Sequence, residues 1–233
     1  MTKPQKKVLK EIRNDFASNQ QMIRLLQGDV GSGKTVVALL SILISIDNNY
    51  QSCLVAPTEI LAFQHFKNFK DKFENLGLVV KVLTGSTKSS DRKILLNDLK
   101  NGSINLLIGT HAIFEQNVIF NNLGYAVIDE QHRFGVKQRS KIWEKNNPPP
   151  HVLIMTATPI PRTLTMSLYG DLDLSIIDEL PPGRKDVITV HRKDKNRLKV
   201  FGFIRDQIKQ GRQIYIVYPL SLIHISEPTR PNE

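Results

Sequence analysis

Residues 28–35 read Gly-Asp-Val-Gly-Ser-Gly-Lys-Thr, which fits G-x-x-x-x-G-K-[ST]. Glycines at this spacing let the backbone turn its N–H groups inward. A helix opening at Lys34 adds the positive potential of its N-terminus, and together they make a cradle for phosphate groups. Gly28, Gly31, Ser32 and Gly33 are expected to line that cradle. Lys34 is expected to reach the β- and γ-phosphates of a nucleoside triphosphate, and Thr35 to offer its hydroxyl to Mg²⁺.

A second chemical phrase, Asp129-Glu-Gln-His132, follows the apolar run Tyr125–Ile128 and so falls at the end of a buried strand. Adjacent carboxylates at a strand end point to different faces and can take different tasks. Asp129 is expected to hold Mg²⁺ through water, and Glu130 to orient and deprotonate an attacking water. His132, with Arg133, reads as a sensor of the γ-phosphate or a link to a polymer substrate. Thr156-Ala-Thr158-Pro159 sets two hydroxyls at another strand end, where they could couple the phosphate site to movement; a plain helix N-cap at Thr158 is the competing reading. Pro57-Thr58, Thr84-Gly85-Ser86 and Gly109-Thr110-His111 offer further hydroxyls and N–H groups, which bind a nucleic-acid backbone without reading bases.

The positioning elements are an alternation. Strands are expected at 24–29, 52–56, 79–84, 104–108, 125–128 and 152–155, and helices at 34–46, 59–76, 91–100 and 163–169. That order implies a parallel sheet with helices on both faces, and every motif above follows a strand, where such sheets bind ligands. The stripe Ile60, Phe63, Phe66, Phe69, Phe73 and Leu76 follows one helix face and reads as core rather than as a platform for bases. Residues 178–184, Asp-Glu-Leu-Pro-Pro-Gly-Arg, break the alternation and read as a linker. Strands at 187–190 and 213–217 around a helix near 196–210 then read as the start of a second α/β unit.

The 233 residues carry a net charge of +10, which favours a polyanionic partner, and 40% hydrophobic residues, enough for a sizeable core. The single cysteine, Cys53, rules out a disulfide framework. Lys3, Lys6 and Lys7 follow Met1 with no apolar stretch, and no apolar run approaches membrane-spanning length, so a cytoplasmic protein is the expectation; a monomer is expected as well.

In order, Gly-Asp-Val-Gly-Ser-Gly-Lys-Thr, Ala-Pro-Thr-Glu-Ile-Leu-Ala, Leu-Thr-Gly-Ser, Gly-Thr-His-Ala-Ile-Phe, Ile-Asp-Glu-Gln-His-Arg-Phe-Gly and Thr-Ala-Thr-Pro-Ile-Pro-Arg-Thr resemble the first motor lobe of the bacterial RecG helicases, in superfamily 2, over roughly residues 2–220. The resemblance implies a P-loop NTPase lobe of the RecA-like kind. Its implied boundaries are an ATP-binding lobe at 1–178, a linker at 179–186 and the truncated start of a second lobe at 187–220. It implies ATP and Mg²⁺ as cofactors, branched double-stranded DNA as partner, and DNA remodelling at stalled forks and four-way junctions. It also places Gln5 where adenine is recognised, and Pro57, Thr58, Thr84, Gly85, Thr110 and His111 along the DNA. Transcription-repair coupling translocases are similar, but their phrase at 129–132 resembles Asp-Glu-Glu-His, and Gln131 argues against them. A nucleotide- and DNA-binding module without turnover is the other alternative. The wedge region and the complete second lobe of the family are not matched, so the chain is expected to be a fragment that binds ATP and DNA without unwinding alone. Residues 221–233 do not resemble the family and read as an unrelated, artefactual tail.

Overall fold

The computed structural model describes residues 1–18, 20–130, 142, 145–158, 172–179 and 187–217. The chain divides into two compact units, Met1–Arg184 and Lys185–Glu233.

The first unit opens with helix α1 (Lys3–Phe16). Thr2 caps it, its hydroxyl accepting from the Gln5 N–H while the Gln5 side chain accepts from the Thr2 N–H. This reciprocal pair is the Thr-x-x-Gln capping box, and it fixes where the helix begins. Strand β1 (Ile23–Gly28) runs into the glycine loop and α2 (Lys34–Asp47). There follow β2 (Gln51–Val55), α3 (Glu59–Glu74), β3 (Val80–Leu83), α4 (Ser89–Lys100) and β4 (Leu106–Gly109). A 3₁₀ turn (His111–Phe114), β5 (Leu123–Asp129), β6 (His151–Thr156) and β7 (Asp173–Ile177) are the remaining elements among the described residues of this unit.

The seven strands form one parallel sheet in the order β3-β4-β2-β5-β6-β1-β7. Neighbouring residues along a strand enter opposite cores. Leu26, Leu54, Val127 and Met155 join the core that also contains residues of α1, α2 and α3, while Leu25, Cys53, Ala126 and Ile154 join the core that contains α4. Burial on both faces explains why the inner strands β4, β5 and β6 read as largely apolar runs rather than as alternations. Each fully buried leucine or isoleucine contributes roughly 1.5–3 kcal/mol.

Two elements of this unit, α1 and β7, are absent from the sequence expectations. The α3 stripe needs correction. The face turned to the core carries Ala62, His65, Phe69 and Phe73, while Ile60 and Phe63 at the helix start are exposed, as is Leu76 beyond its end. The phenylalanines sit close enough to helical spacing to suggest one stripe, but the stripe drifts off the buried face toward the helix N-terminus. The expected helix at 163–169 lies outside the described residues.

In the second unit the described residues form a 3₁₀ turn (Asp194–Asn196) and helix α5 (Arg197–Lys209). The strands expected at 187–190 and 213–217 are not formed. A strand needs a laddered neighbour to satisfy its backbone, and the described residues here supply none. Val187, Ile188, Tyr215 and Val217 are accordingly exposed. No helix among the described residues is long and apolar enough to cross a membrane.

Candidate functional site

The C-terminal ends of β1, β5 and β6 lie side by side, because β6 separates the other two. In the loop after β1, Gly33 has φ +88, a left-handed conformation that only glycine adopts cheaply, and it begins α2. Val36 and Val37 both donate to the Gly33 carbonyl. The N–H groups of Lys34 and Thr35, ahead of those bonds, have no acceptor within the helix and define an anion-binding end.

Gln5 packs directly beneath this bend. Its Nε2 donates to the Ser32 carbonyl at 2.8 Å, and a Cβ at Gly33 would stand 2.3 Å from that nitrogen. Gln5 thus joins α1 to the glycine loop. The other half of α1 is held by Arg24 of β1, which is 8% exposed. Arg24 meets Asp15 at 2.7 Å, Glu11 at 3.5 Å and Asp173 of β7 at 3.6 Å, and donates to Ser175 Oγ at 2.9 Å. A buried guanidinium would be costly alone; three carboxylates and a hydroxyl offset that cost and weld α1, β1 and β7 together.

Lys34 folds back over its own loop, its Nζ donating to the Gly28 carbonyl at 2.6 Å and the Asp29 carbonyl at 3.1 Å. Burial holds its pKa below the ordinary lysine value, although the neighbouring Glu130, Asp129 and Asp29 charges oppose that shift. The lysine of one motif and the carboxylates of the other therefore share one electrostatic environment. Thr35 stands one residue into α2.

Asp129 is the last residue of β5 and registers with Met155 of β6. Glu130 has φ +50, unusual for a side chain with a Cβ, and its N–H donates to the Met155 carbonyl at 2.9 Å. This turn sends its carboxylate toward β6, where Oε1 accepts from the Ala157 N–H at 3.1 Å and Oε2 from Thr156 Oγ1 at 3.5 Å. Thr156 and Thr158 hydroxyls pair at 2.9 Å. Glu130, Thr156 and Thr158 form one connected network across two strand ends. Gln131, His132 and Arg133 lie outside the described residues.

Two features fit a phosphate ligand in the loop. Ser32 Oγ is buried with no hydrogen-bond partner, and Gly28 leaves space where a Cβ would stand 2.6 Å from that oxygen. The Thr35 hydroxyl and the Asp129 carboxylate are hard oxygen donors. That set suits Mg²⁺, which keeps several waters and takes one or two protein oxygens beside those of a bound phosphate.

The residues expected along a nucleic acid lie at the ends of β2, β3 and β4. Thr58 caps α3, accepting from the Leu61 N–H at 3.3 Å. Glu59 ties this segment to the next, accepting from the Ser86 N–H at 3.1 Å and the Ser86 hydroxyl at 2.8 Å. Those bonds hold its carboxyl below the usual carboxylate range. Gly85 and His111 are exposed and Pro57 and Thr58 half-buried, whereas Thr84 and Thr110 are buried beneath that surface.

Sequence reasoning missed Arg24, which looks like an ordinary strand charge, and His65 of α3, whose Nε2 lies 2.9 Å from Asp129 Oδ2. Nothing local marks His65 as a partner of a residue 64 positions away. Sequence reasoning placed Gln5 only through the family resemblance; neither its capping-box pairing with Thr2 nor its bond to the glycine loop was read from the residues.

The DEAD/DEAH box helicase model matches residues 2–167. The ATP-dependent DNA helicase RecG of Aquifex aeolicus is 49% identical over 221 residues, covering 94% of this chain and 28% of that protein. RecG of Escherichia coli O157:H7 is 50% identical over 223 residues, covering 94% of this chain and 32% of its own length. The structure of RecG bound to a three-way DNA junction superposes with a TM-score of 0.83 at 42% identity, over 94% of this chain and 29% of that one. The chain thus spans about a third or less of the length of these relatives, and its parallel sheet has the RecA-like architecture of their motor lobes. Sheet, glycine loop, strand-end carboxylates and family model agree, and the chain belongs to the DEAD/DEAH box helicase family.

Proposed function

We propose that this lobe is the nucleotide-binding half of a RecG-like motor that couples ATP hydrolysis to movement on branched, double-stranded DNA. The observation that carries the reading is the convergence of Lys34, Asp129 and Glu130 at the adjoining ends of β1, β5 and β6. Relatives named ATP-dependent DNA helicase RecG, and a RecG structure on a three-way junction, support the choice of substrate.

In this reading Gly28, Gly31, Ser32 and Gly33 wrap the phosphates with backbone N–H groups, and Lys34 exchanges its bonds to the Gly28 and Asp29 carbonyls for phosphate oxygens. Gln5 shapes the loop through Ser32 and faces the base. Thr35 and Asp129 hold Mg²⁺, which neutralises charge on the phosphates when bound. Glu130 accepts a proton from the attacking water at its carboxylate. Its bonds to Ala157 and Thr156 make that carboxylate sensitive to the position of β6 and Thr158, while His132 senses the γ-phosphate. Pro57, Thr58, Gly85 and His111 meet the DNA backbone, with Thr84 and Thr110 shaping the turns below. Because the chain spans under a third of its relatives' length, it binds ATP and DNA, and unwinding belongs to the whole motor.

Lys34→Ala should weaken ATP binding by at least tenfold in calorimetry, and DNA affinity should fall steeply with salt while ignoring base sequence. Unchanged ATP affinity in the variant refutes the loop assignment; salt-insensitive or sequence-dependent DNA binding refutes the backbone-tracking role.

A further inference from the structure

His65 is an unusual residue for the inner face of α3, where its neighbours along the face are Ala62, Phe69 and Phe73. Its side chain is 9% exposed, and its Nε2 lies 2.9 Å from Oδ2 of Asp129, itself 15% exposed. The opposite ring nitrogen, Nδ1, is buried with no hydrogen-bond partner.

These two facts select one tautomer. With the proton on Nδ1, a lone pair on Nε2 would face a carboxylate oxygen and a buried N–H would have no acceptor. With the proton on Nε2, the imidazole donates to Asp129 and only a lone pair is left in apolar surroundings, the cheaper arrangement. The ring cannot easily turn away, because Phe69 packs against it at 6.0 Å and Phe73 stacks on Phe69 at 5.8 Å. The donor is therefore fixed in direction by the helix and its aromatic neighbours, and it engages one oxygen of the carboxylate.

We propose that His65 is a positioning residue for the metal: by holding Oδ2 of Asp129 it fixes the carboxylate so that Oδ1 is presented to the water shell of Mg²⁺. The inference rests on the reading of Asp129 as the metal-holding carboxylate. Partners that orient a ligating side chain typically change metal affinity by about 10–100-fold when removed.

The test measures binding of a fluorescent ADP analogue to the 233-residue chain, first in EDTA and then across a Mg²⁺ titration. It compares the unmodified chain with His65→Leu, His65→Gln and Asp129→Asn, each checked for folding by circular dichroism. His65→Leu keeps the site filled but removes the donor, and it should raise the Mg²⁺ half-saturation about tenfold or more while leaving metal-free affinity unchanged. His65→Gln can place an amide N–H where Nε2 stood and should restore most of that loss. A Mg²⁺ response in His65→Leu equal to that of the unmodified chain, alongside a lost response in Asp129→Asn, overturns the role of His65 alone. Equal loss of metal-free binding in both His65 variants assigns the residue to packing and also overturns it. An unaltered Mg²⁺ response in Asp129→Asn removes Asp129 as the metal holder, and both the site reading and this inference fall.

Discussion

Gly33 allows backbone strain and side-chain contact to be measured apart. Gly33→Ala must place an L-residue at φ +88, which costs about 1–2 kcal/mol. The added Cβ would also stand 2.3 Å from Gln5 Nε2, so the flexible Gln5 side chain has to leave. Its departure breaks the bonds to the Ser32 carbonyl and the Thr2 N–H and adds about 1–3 kcal/mol, for a total near 2–5 kcal/mol. In a Gln5→Ala background those bonds are already gone, and Gly33→Ala should cost only the backbone strain. Urea unfolding of the four proteins of this cycle should therefore show the two substitutions falling short of additivity by about 1–3 kcal/mol. Additivity within about 0.5 kcal/mol would mean that Gln5 does not support the bend, and the picture of α1 as a brace beneath the glycine loop would fail.

In the complete motor, Glu130→Gln should keep nucleotide binding and lose turnover by at least about 100-fold, since it removes a proton acceptor but retains an oxygen for the Ala157 N–H; equal loss of binding, read with a fluorescent nucleotide, would contradict the assignment. Gln51→Leu should destabilise the lobe by about 3–5 kcal/mol in urea unfolding, because it takes this partner from the Ile104 carbonyl and from the Asn121 and Asn122 N–H groups, while the Leu99 carbonyl keeps the Gly102 N–H. Burial lowers the His151 pKa against the opposing pull of Asp15, and its Nδ1 accepts from the Met22 N–H. The folded state thus binds fewer protons there than the unfolded one, and stability should decline as pH falls through the unfolded histidine value of about 6.5 and below. In His151→Gln the melting temperature should lose this part of its pH dependence, and an unchanged slope would remove His151 from the account.

The shape of the glycine loop was legible because it is written in backbone demands: left-handed bends at Gly31 and Gly33 and a helix start at Lys34 tie residue type to position within eight residues. Six of the seven strands were legible because each holds a short run of apolar residues buried in one or both cores. Strand β7 escaped because two of the five residues of Asp173–Ile177 are polar, the buried Ser175 pairing with Arg24 and Glu11. Arg24 and His65 escaped because their chemistry is tertiary. A charge with three distant carboxylates looks, in sequence, like any charge on a surface. The strands anticipated at 187–190 and 213–217 failed for the converse reason: β-branched composition expresses a preference that only a neighbouring strand can realise.

Among the seven strands of this sheet β1 is made first, yet its two neighbours are made last: Ile23 lies beside Val152 of β6, and Arg24 beside Asp173 of β7. Strands β3, β4, β2 and β5 are contiguous in the sheet and can assemble on their own in the meantime. At roughly 5–20 residues per second, synthesis separates the emergence of β1 from that of β6 by on the order of ten seconds. Throughout that interval the glycine loop hangs from a strand with no ladder, and β5 presents an open edge that β6 alone can close in the native order. Chaperone engagement and aggregation should concentrate on chains caught between those two events, and under the proposed function nucleotide capture by a nascent chain should wait until the sheet closes.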